Sequence, residues 1–205
     1  MFDLFHDEKA KKYPTRDLPI REEPVSGIFV EGLTEYLVQS ETECVFLLKR
    51  GEKNRVVRGT YMNQNSSRSH SLFQLVLQTT KVDKNGFIRR SKLNLADLAG
   101  SEKINKQEEY RVNHVQELRN INLSLTTLGK VIYQLANAMN KGIDNAHIPF
   151  RESKLTRILT DSFGGGTKTL LIATVSPTSQ SIEETMMTLK FADRAKNVMQ
   201  KVTVN

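Results

Sequence analysis

Apolar residues recur at Val115, Leu118, Ile121, Leu125, Leu128, Ile132, Leu135 and Met139, and no other feature constrains the fold as strongly. The spacings are 3, 3, 4, 3, 4, 3 and 4 residues. Residues three and four apart share one face of an α-helix, so this stretch predicts one long amphipathic helix from about Val115, ending before Gly142. Pro149 blocks helix behind it.

The flanking elements follow from period and punctuation. Residues 1–27 are polar, carry Pro14, Pro19 and Pro24, and read as a loop with short extended pieces. Ser40 with Glu43 has capping-box spacing and opens a helix to about Arg50, with Gly51 as its stop. A second helical stretch is predicted from about Lys53 to Met62. Residues 71–82 alternate, with Phe73, Leu75 and Leu77 on one side and Gln74 and Gln78 on the other, as a strand does. Asn85-Gly86 then turns the chain into a second strand, Phe87 to Asp97. After the long helix come a helix over 151–163 closed by Gly164-Gly165-Gly166 and an apolar strand, Leu170 to Val175. Last is a helix opened by Ser181 with Glu184 and running to about Met199. The order predicts an α/β layered domain with a mixed sheet.

Size and charge narrow the function classes. At roughly 150 residues per domain, 205 residues make one domain or slightly more. Thirty Lys and Arg against 23 Asp and Glu give a net charge of +7, which points to an acidic partner or to solubilising charge alone. No apolar run approaches a membrane span, and MFDLFHDEKAKK lacks the apolar core of a secretory signal. Cys44 is the single cysteine, which excludes an internal disulfide and a Cys-rich zinc site; it is expected as a core thiol on its helix. His6 and His114 have no partner at metal-site spacing.

Two segments carry chemistry. Asn63-Gln-Asn-Ser66-Ser67-Arg68-Ser69-His70 packs hydroxyls, amides, an arginine and a histidine between a helix and a strand. Hydroxyls can ligate Mg²⁺ or hold a phosphate oxygen, and Arg pairs with phosphate or carboxylate; alone, the segment also reads as a polar capping loop. In Leu93-Asn-Leu-Ala-Asp97-Leu-Ala-Gly100-Ser101-Glu102 a strand delivers Asp97 at its C-terminal end, where open α/β sheets place ligands. Asp97 there can hold Mg²⁺ through water. Gly100, three residues on, lets a backbone N–H approach a terminal phosphate, the Walker-B arrangement of P-loop nucleotidases. A lone D-x-x-G is weak; both segments in this order are stronger.

These segments resemble the kinesin motor domain: NQNSSRSH is similar to its switch I and DLAGSE to its switch II. INLSLTTLGKVI resembles the helix after switch II, and HIPFRESKLTRILTDSFGG the microtubule-contacting loop and helix. LKFADRAKNV resembles the last motor helix, MQKVTVN the start of a neck linker, and LPIREEPVSGIFVEGLTE the tubulin-touching loop before switch I. Glu117 matches an acidic position of the family. The stretch 103–120 departs from it, having no glycine and carrying Glu108 and Glu109.

The resemblance implies a three-layer, P-loop NTPase-like kinesin fold with a mixed central sheet, over 1–197, with a neck linker from 198 to 205. It implies an ATPase that moves along microtubules in the cytoplasm, with ATP and Mg²⁺ as cofactors and tubulin as partner. Asn63, Ser66, Ser67, Ser69, Asp97 and Gly100 would bind nucleotide, with Ser67 and Asp97 on the Mg²⁺ side. Ser67, Arg68, Gly100 and Glu102 would be catalytic, Arg68 pairing with Glu102 on closure. Lys9, Lys12, Lys141, His147, Arg151, Lys154 and Arg157 would face tubulin, the 151, 154 and 157 spacing sharing one helix face.

One family hallmark is missing. No G-x-x-x-x-G-K-[ST] occurs in the sequence, and Gly164-Gly165-Gly166-Thr-Lys168-Thr169 fails on spacing and context. The expectation is therefore the second part of a motor domain, without the P-loop half and first strands, inactive alone and exposing apolar surface where that half would pack. The alternatives are a microtubule-binding module that hydrolyses nothing and a truncated gene product. A nucleic-acid binder is disfavoured, since no aromatic–basic interleaving is visible, and no membrane partner is expected.

Overall fold

A computed structural model describes residues 3–5, 18–24, 27–55, 69–82, 84, 86–100, 112–143, 145–163 and 166–198, with the side chains of 112–120 excepted. The chain is α/β and divides into two compact units, one of residues 1–34 with 101–205 and one of residues 35–100.

The smaller unit holds helix α1 (Glu41–Asn54) and the antiparallel strands β3 (Ser71–Gln78) and β4 (Arg90–Asp97). The Ser40 cap is real: its hydroxyl accepts from the Glu43 N–H at 3.2 Å, while the Glu43 carboxylate accepts from the Gln39 N–H at 2.7 Å. Gly51 does not stop the helix. A glycine terminates a helix when it takes left-handed φ, and the glycines that do so among the described residues are Gly27, Gly32, Gly86 and Gly142. Gly51 is buried within α1, which continues to Asn54 and is closed by extended Arg55. The expected second helix thus loses Lys53 and Asn54 to α1, and 56–62 lie outside the described residues. Cys44 is free and half-buried rather than in the core.

β3 and β4 pair from Ser71↔Asp97 to Gln78↔Arg90, shorter than the expected 71–82 and 87–97. The alternation sets the register: Phe73 faces Leu95, Leu75 faces Leu93, and Gln74 faces Asn94 with Nε2 donating to Oδ1 at 2.8 Å. The ladder is extended by the Thr79 N–H to the Arg89 carbonyl, and Gly86 takes φ +84° in the connection; Asn85 lies outside the described residues.

The larger unit is built on α2 (Val112–Asn140). Its end is a Schellman closure: Ile143 N–H donates to the Ala138 carbonyl and Gly142 N–H to Met139, with Gly142 at φ +64°. Leu128 and Ile132 are buried as expected, but so are Val131, Ala136 and Ala138, whereas Met139 is exposed. The buried face is wider than the single stripe because α2 packs against two other helices, α3 (Lys154–Ile158) and α4 (Ile182–Lys196). Strands β1 (Ile20–Glu23) and β2 (Gly27–Val30) form an antiparallel hairpin that also packs on α3, and Leu18, Ile20, Ile28 and Leu159 are buried.

Three expectations about this unit change. The helix over 151–163 is broken into a 3₁₀ turn at Phe150–Glu152, α3, and a second turn at Thr160–Phe163. The break is Ser153, extended at φ −140° and ψ 153°, whose hydroxyl caps α3 by accepting from the Thr156 N–H at 3.0 Å. Residues 170–175 join no ladder among the described residues, and Leu170 and Ile172 are exposed. A strand exists only through its partners, and both described sheets are two-stranded and antiparallel, so no mixed sheet forms among the described residues. Ser181 precedes α4 without a side-chain cap; its hydroxyl instead accepts from Thr178 Oγ1 at 3.1 Å, at the end of a 3₁₀ turn, Ser179–Ser181. Met199, the expected end of α4, lies outside the described residues, as does the neck-linker stretch after Val198.

Candidate nucleotide and track sites

Three of the expected nucleotide-site residues are described, all in the smaller unit: Ser69, Asp97 and Gly100. Asn63, Ser66, Ser67, Arg68 and Glu102 lie outside the described residues. Pairing of Ser71 with Asp97 brings the end of the hydroxyl-rich segment beside the end of β4, although 28 residues separate Ser69 from Asp97. Antiparallel register alone makes that junction.

Arg55, at the end of α1, joins the two motifs. Its Nη1 donates to Asp97 Oδ2 at 2.6 Å, its Nε to Ser69 Oγ at 3.2 Å, and its Nη2 to the Ser69 carbonyl. The Arg55 side chain is 12% exposed and that of Asp97 69%. A planar guanidinium suits this, since its fork spans several acceptors at once. The only signal in the sequence was its position at the end of a helix ahead of the motif. A second tie comes from His70, whose Nδ1 accepts from the Ala99 N–H at 3.0 Å. That contact sets the imidazole proton on Nε2 and holds the backbone next to Gly100.

The donor set tests the expected divalent cation. A hydroxyl, a carbonyl and a carboxylate oxygen converge on one cationic group, the guanidinium of Arg55. Oxygen ligands of this kind suit a hard cation; of the two residues expected on the Mg²⁺ side, Asp97 is described, with its Oδ2 engaged by Arg55, and Ser67 lies outside the described residues. Among the described residues no group of three His, Cys, Asp or Glu side chains is placed to hold a metal, and no helix is long and apolar enough to cross a membrane.

The expected track residues lie in the larger unit. Lys141, His147, Arg151 and Lys154 are exposed, Arg157 is half-buried, and Lys9 and Lys12 lie outside the described residues. Arg151 does not share a helix face with Lys154 and Arg157, because it belongs to the turn before Ser153. What fixes that turn is Thr156, fully buried, whose Oγ1 donates to the Phe150 carbonyl at 2.7 Å and sits 2.8 Å from Ser153 Oγ. Phe150 stacks on Phe163 at 6.3 Å. Beside this surface a cavity of about 780 Å³ is lined by β1–β2 residues with Arg151, Arg157, Thr160 and Asp161. Asp161 accepts from the Ile28 N–H at 3.4 Å, and Gly27, at φ +68°, leaves room for its carboxylate where a Cβ would approach to 3.0 Å.

Comparison with known proteins agrees with the motifs. The kinesin motor domain family model matches residues 1–198. Kinesin-related protein 5 of Dictyostelium discoideum is 46% identical over 93% of this chain, and kinesin-like protein KIN-5C of Arabidopsis thaliana 45% over 97%. The chain spans only 18% and 19% of those relatives. Among solved structures, a KIF14 dimer with AMP-PNP in complex with a microtubule superposes with a TM-score of 0.86 at 40% identity, over 100% of this chain and 56% of that one. A fast kinesin gives 0.76 at 42%, over 93% and 52%. With switch-like segments joined through Arg55 and His70, and a family match over nearly its whole length, this chain belongs to the kinesin motor domain family.

Proposed function

We propose that this chain is the part of a microtubule-directed motor ATPase that carries both switch segments and the track-binding face, over residues 1–197, with a neck linker starting at 198. The observation that supports it most is the convergence of Ser69 and Asp97, from two distant motifs, on one oxygen-rich site. In this reading Asn63, Ser66, Ser67 and Ser69 bind the nucleotide, and Ser67, with Asp97 acting through water, holds Mg²⁺. Gly100 donates its N–H to the γ-phosphate. Mg²⁺, when bound, supplies charge neutralisation between the phosphates. Arg68 and Glu102 form the catalytic pair. Lys9, Lys12, Lys141, His147, Arg151, Lys154 and Arg157 meet the acidic surface of tubulin, placing the protein on cytoplasmic microtubules.

The test uses a motor that joins this chain to a P-loop-bearing N-terminal half. Ser67→Ala or Gly100→Ala should abolish microtubule-stimulated ATP turnover; near-normal turnover in both would remove the site assignment. For the track face, Lys154→Ala with Arg157→Ala should weaken co-sedimentation with microtubules, most at low salt where charge is least screened. Unchanged sedimentation across a salt series would return both to solvated surface.

A second reading, a microtubule-binding module without hydrolysis, is favoured by the lack of a P-loop sequence in this chain. Microtubule-stimulated phosphate release by the 205-residue chain itself would exclude it.

A further inference from the structure

Two cations of the larger unit, Lys130 and Arg151, have counter-ions within the protein. Lys130 Nζ lies 2.7 and 2.9 Å from the two carboxylate oxygens of Glu152. The neighbouring Arg151 is taken by a carboxylate from far away in sequence: its Nη2 lies 3.0 Å from Glu22 Oε2, on the β1–β2 hairpin. Both side chains of that pair are open to solvent, Arg151 at 79% and Glu22 at 55%. The hairpin is not a loose arm, since Asp161 ties it at Ile28, so Glu22 is held where it meets Arg151.

From this geometry we infer that Glu22 is an internal competitor for Arg151, an electrostatic brake on docking to a carboxylate-rich surface. The inference rests on the track-binding reading, in which that surface is tubulin. Glu22 takes one of the guanidinium's N–H donors and offsets part of its charge, so a partner carboxylate meets a weaker attraction at Arg151 while Glu22 is in place. Of the two internal pairs this one yields more readily, because Glu22 makes one contact where Glu152 makes two. Glu23, next along β1, makes no ion pair among the described residues and points to the other face of the strand by the pleat. The two glutamates therefore carry equal charge on adjacent positions but differ in whether they occupy Arg151.

That difference makes the brake testable. An exposed ion pair is weak, so its release should tighten binding modestly, about two- to five-fold. Glu22→Gln should lower the microtubule Kd by that factor in low-salt co-sedimentation, and the gain should shrink as salt rises. Glu23→Gln should give less than half of the gain. In an Arg151→Gln background, Glu22→Gln should give no more than Glu23→Gln does, because the group it competes for is gone and only the general charge effect remains. Retention on a carboxylate cation-exchange resin provides a readout without microtubules: Glu22→Gln should elute later than Glu23→Gln although their net charges are equal. Equal gains from both glutamates, or a Glu22→Gln gain that survives in full in the Arg151→Gln background, would overturn the brake, as would equal elution on the resin. Wild-type chain that fails to sediment with microtubules would overturn the track reading instead, and the resin comparison would still decide the brake.

Discussion

Arg55 Nη1 lies 2.6 Å from Asp97 Oδ2, and the same guanidinium reaches the hydroxyl and carbonyl of Ser69. The end of α1 is thereby tied to both ends of the β3–β4 junction. A charge-assisted hydrogen bond contributes about 1.5–3 kcal/mol where it is shielded, and much less where one partner is open to water. Asp97 is the open partner, so most of the stabilisation comes from the Ser69 contacts.

Arg55→Ala should therefore lower stability in urea denaturation by about 1–2 kcal/mol. Asp97→Asn should cost less than about 1 kcal/mol. Arg55→Lys should recover at most half of the alanine loss, because an ammonium lacks the fork that spans both residues. An Asp97→Asn loss as large as that of Arg55→Ala would contradict this ordering.

Thr156 offers a second stability test. Its hydroxyl joins the 150–152 turn to the start of α3 from a fully buried position. Thr156→Val keeps the shape but strands the Phe150 carbonyl and Ser153, so it should cost about 1–3 kcal/mol. Thr156→Ser keeps the hydroxyl and loses one methyl, about 1 kcal/mol. Thermal or urea unfolding should place serine above valine; the reverse order would mean that packing, not the hydrogen bonds, holds the turn.

The 205-residue chain should behave as a protein with uncovered apolar surface. Leu170 and Ile172 are exposed on a segment that joins no ladder among the described residues, and Leu77, Leu93 and Leu95 are exposed on β3–β4. Binding of a hydrophobic dye to the folded chain is expected. Without a P-loop sequence, ATP affinity should be no better than about millimolar, near −4 kcal/mol. Micromolar ATP binding by a monodisperse, dye-silent sample would refute both expectations.

The proposed Arg68–Glu102 pair predicts a specific kinetic pattern in a motor restored with its P-loop half. Each alanine substitution should leave nucleotide binding nearly intact and remove most hydrolysis, with the double mutant little worse than either single. The swap Arg68→Glu with Glu102→Arg should recover some activity. Additive single losses and no recovery by the swap would show that the two residues act separately.

Local rules reached as far as local forces do. The α2 period, the Ser40 cap, the β3–β4 alternation and the motifs ending at His70 and Gly100 were legible because each depends on residues a few positions apart. Gly51 and Gly142 look alike as helix stops, yet only Gly142 takes left-handed φ, since burial keeps Gly51 inside α1. Ser40 and Ser181 share one spacing, but nearby Thr178 claims the second hydroxyl. Arg151 left the face of Lys154 and Arg157 because Thr156 bonds back across Ser153. Arg55 and Glu22 were illegible as partners: Asp97 is 42 residues from the first and Arg151 is 129 from the second. No periodicity spans such distances; only the packing of strands and helices brings those charges together, and their energy exists only once the chain has folded.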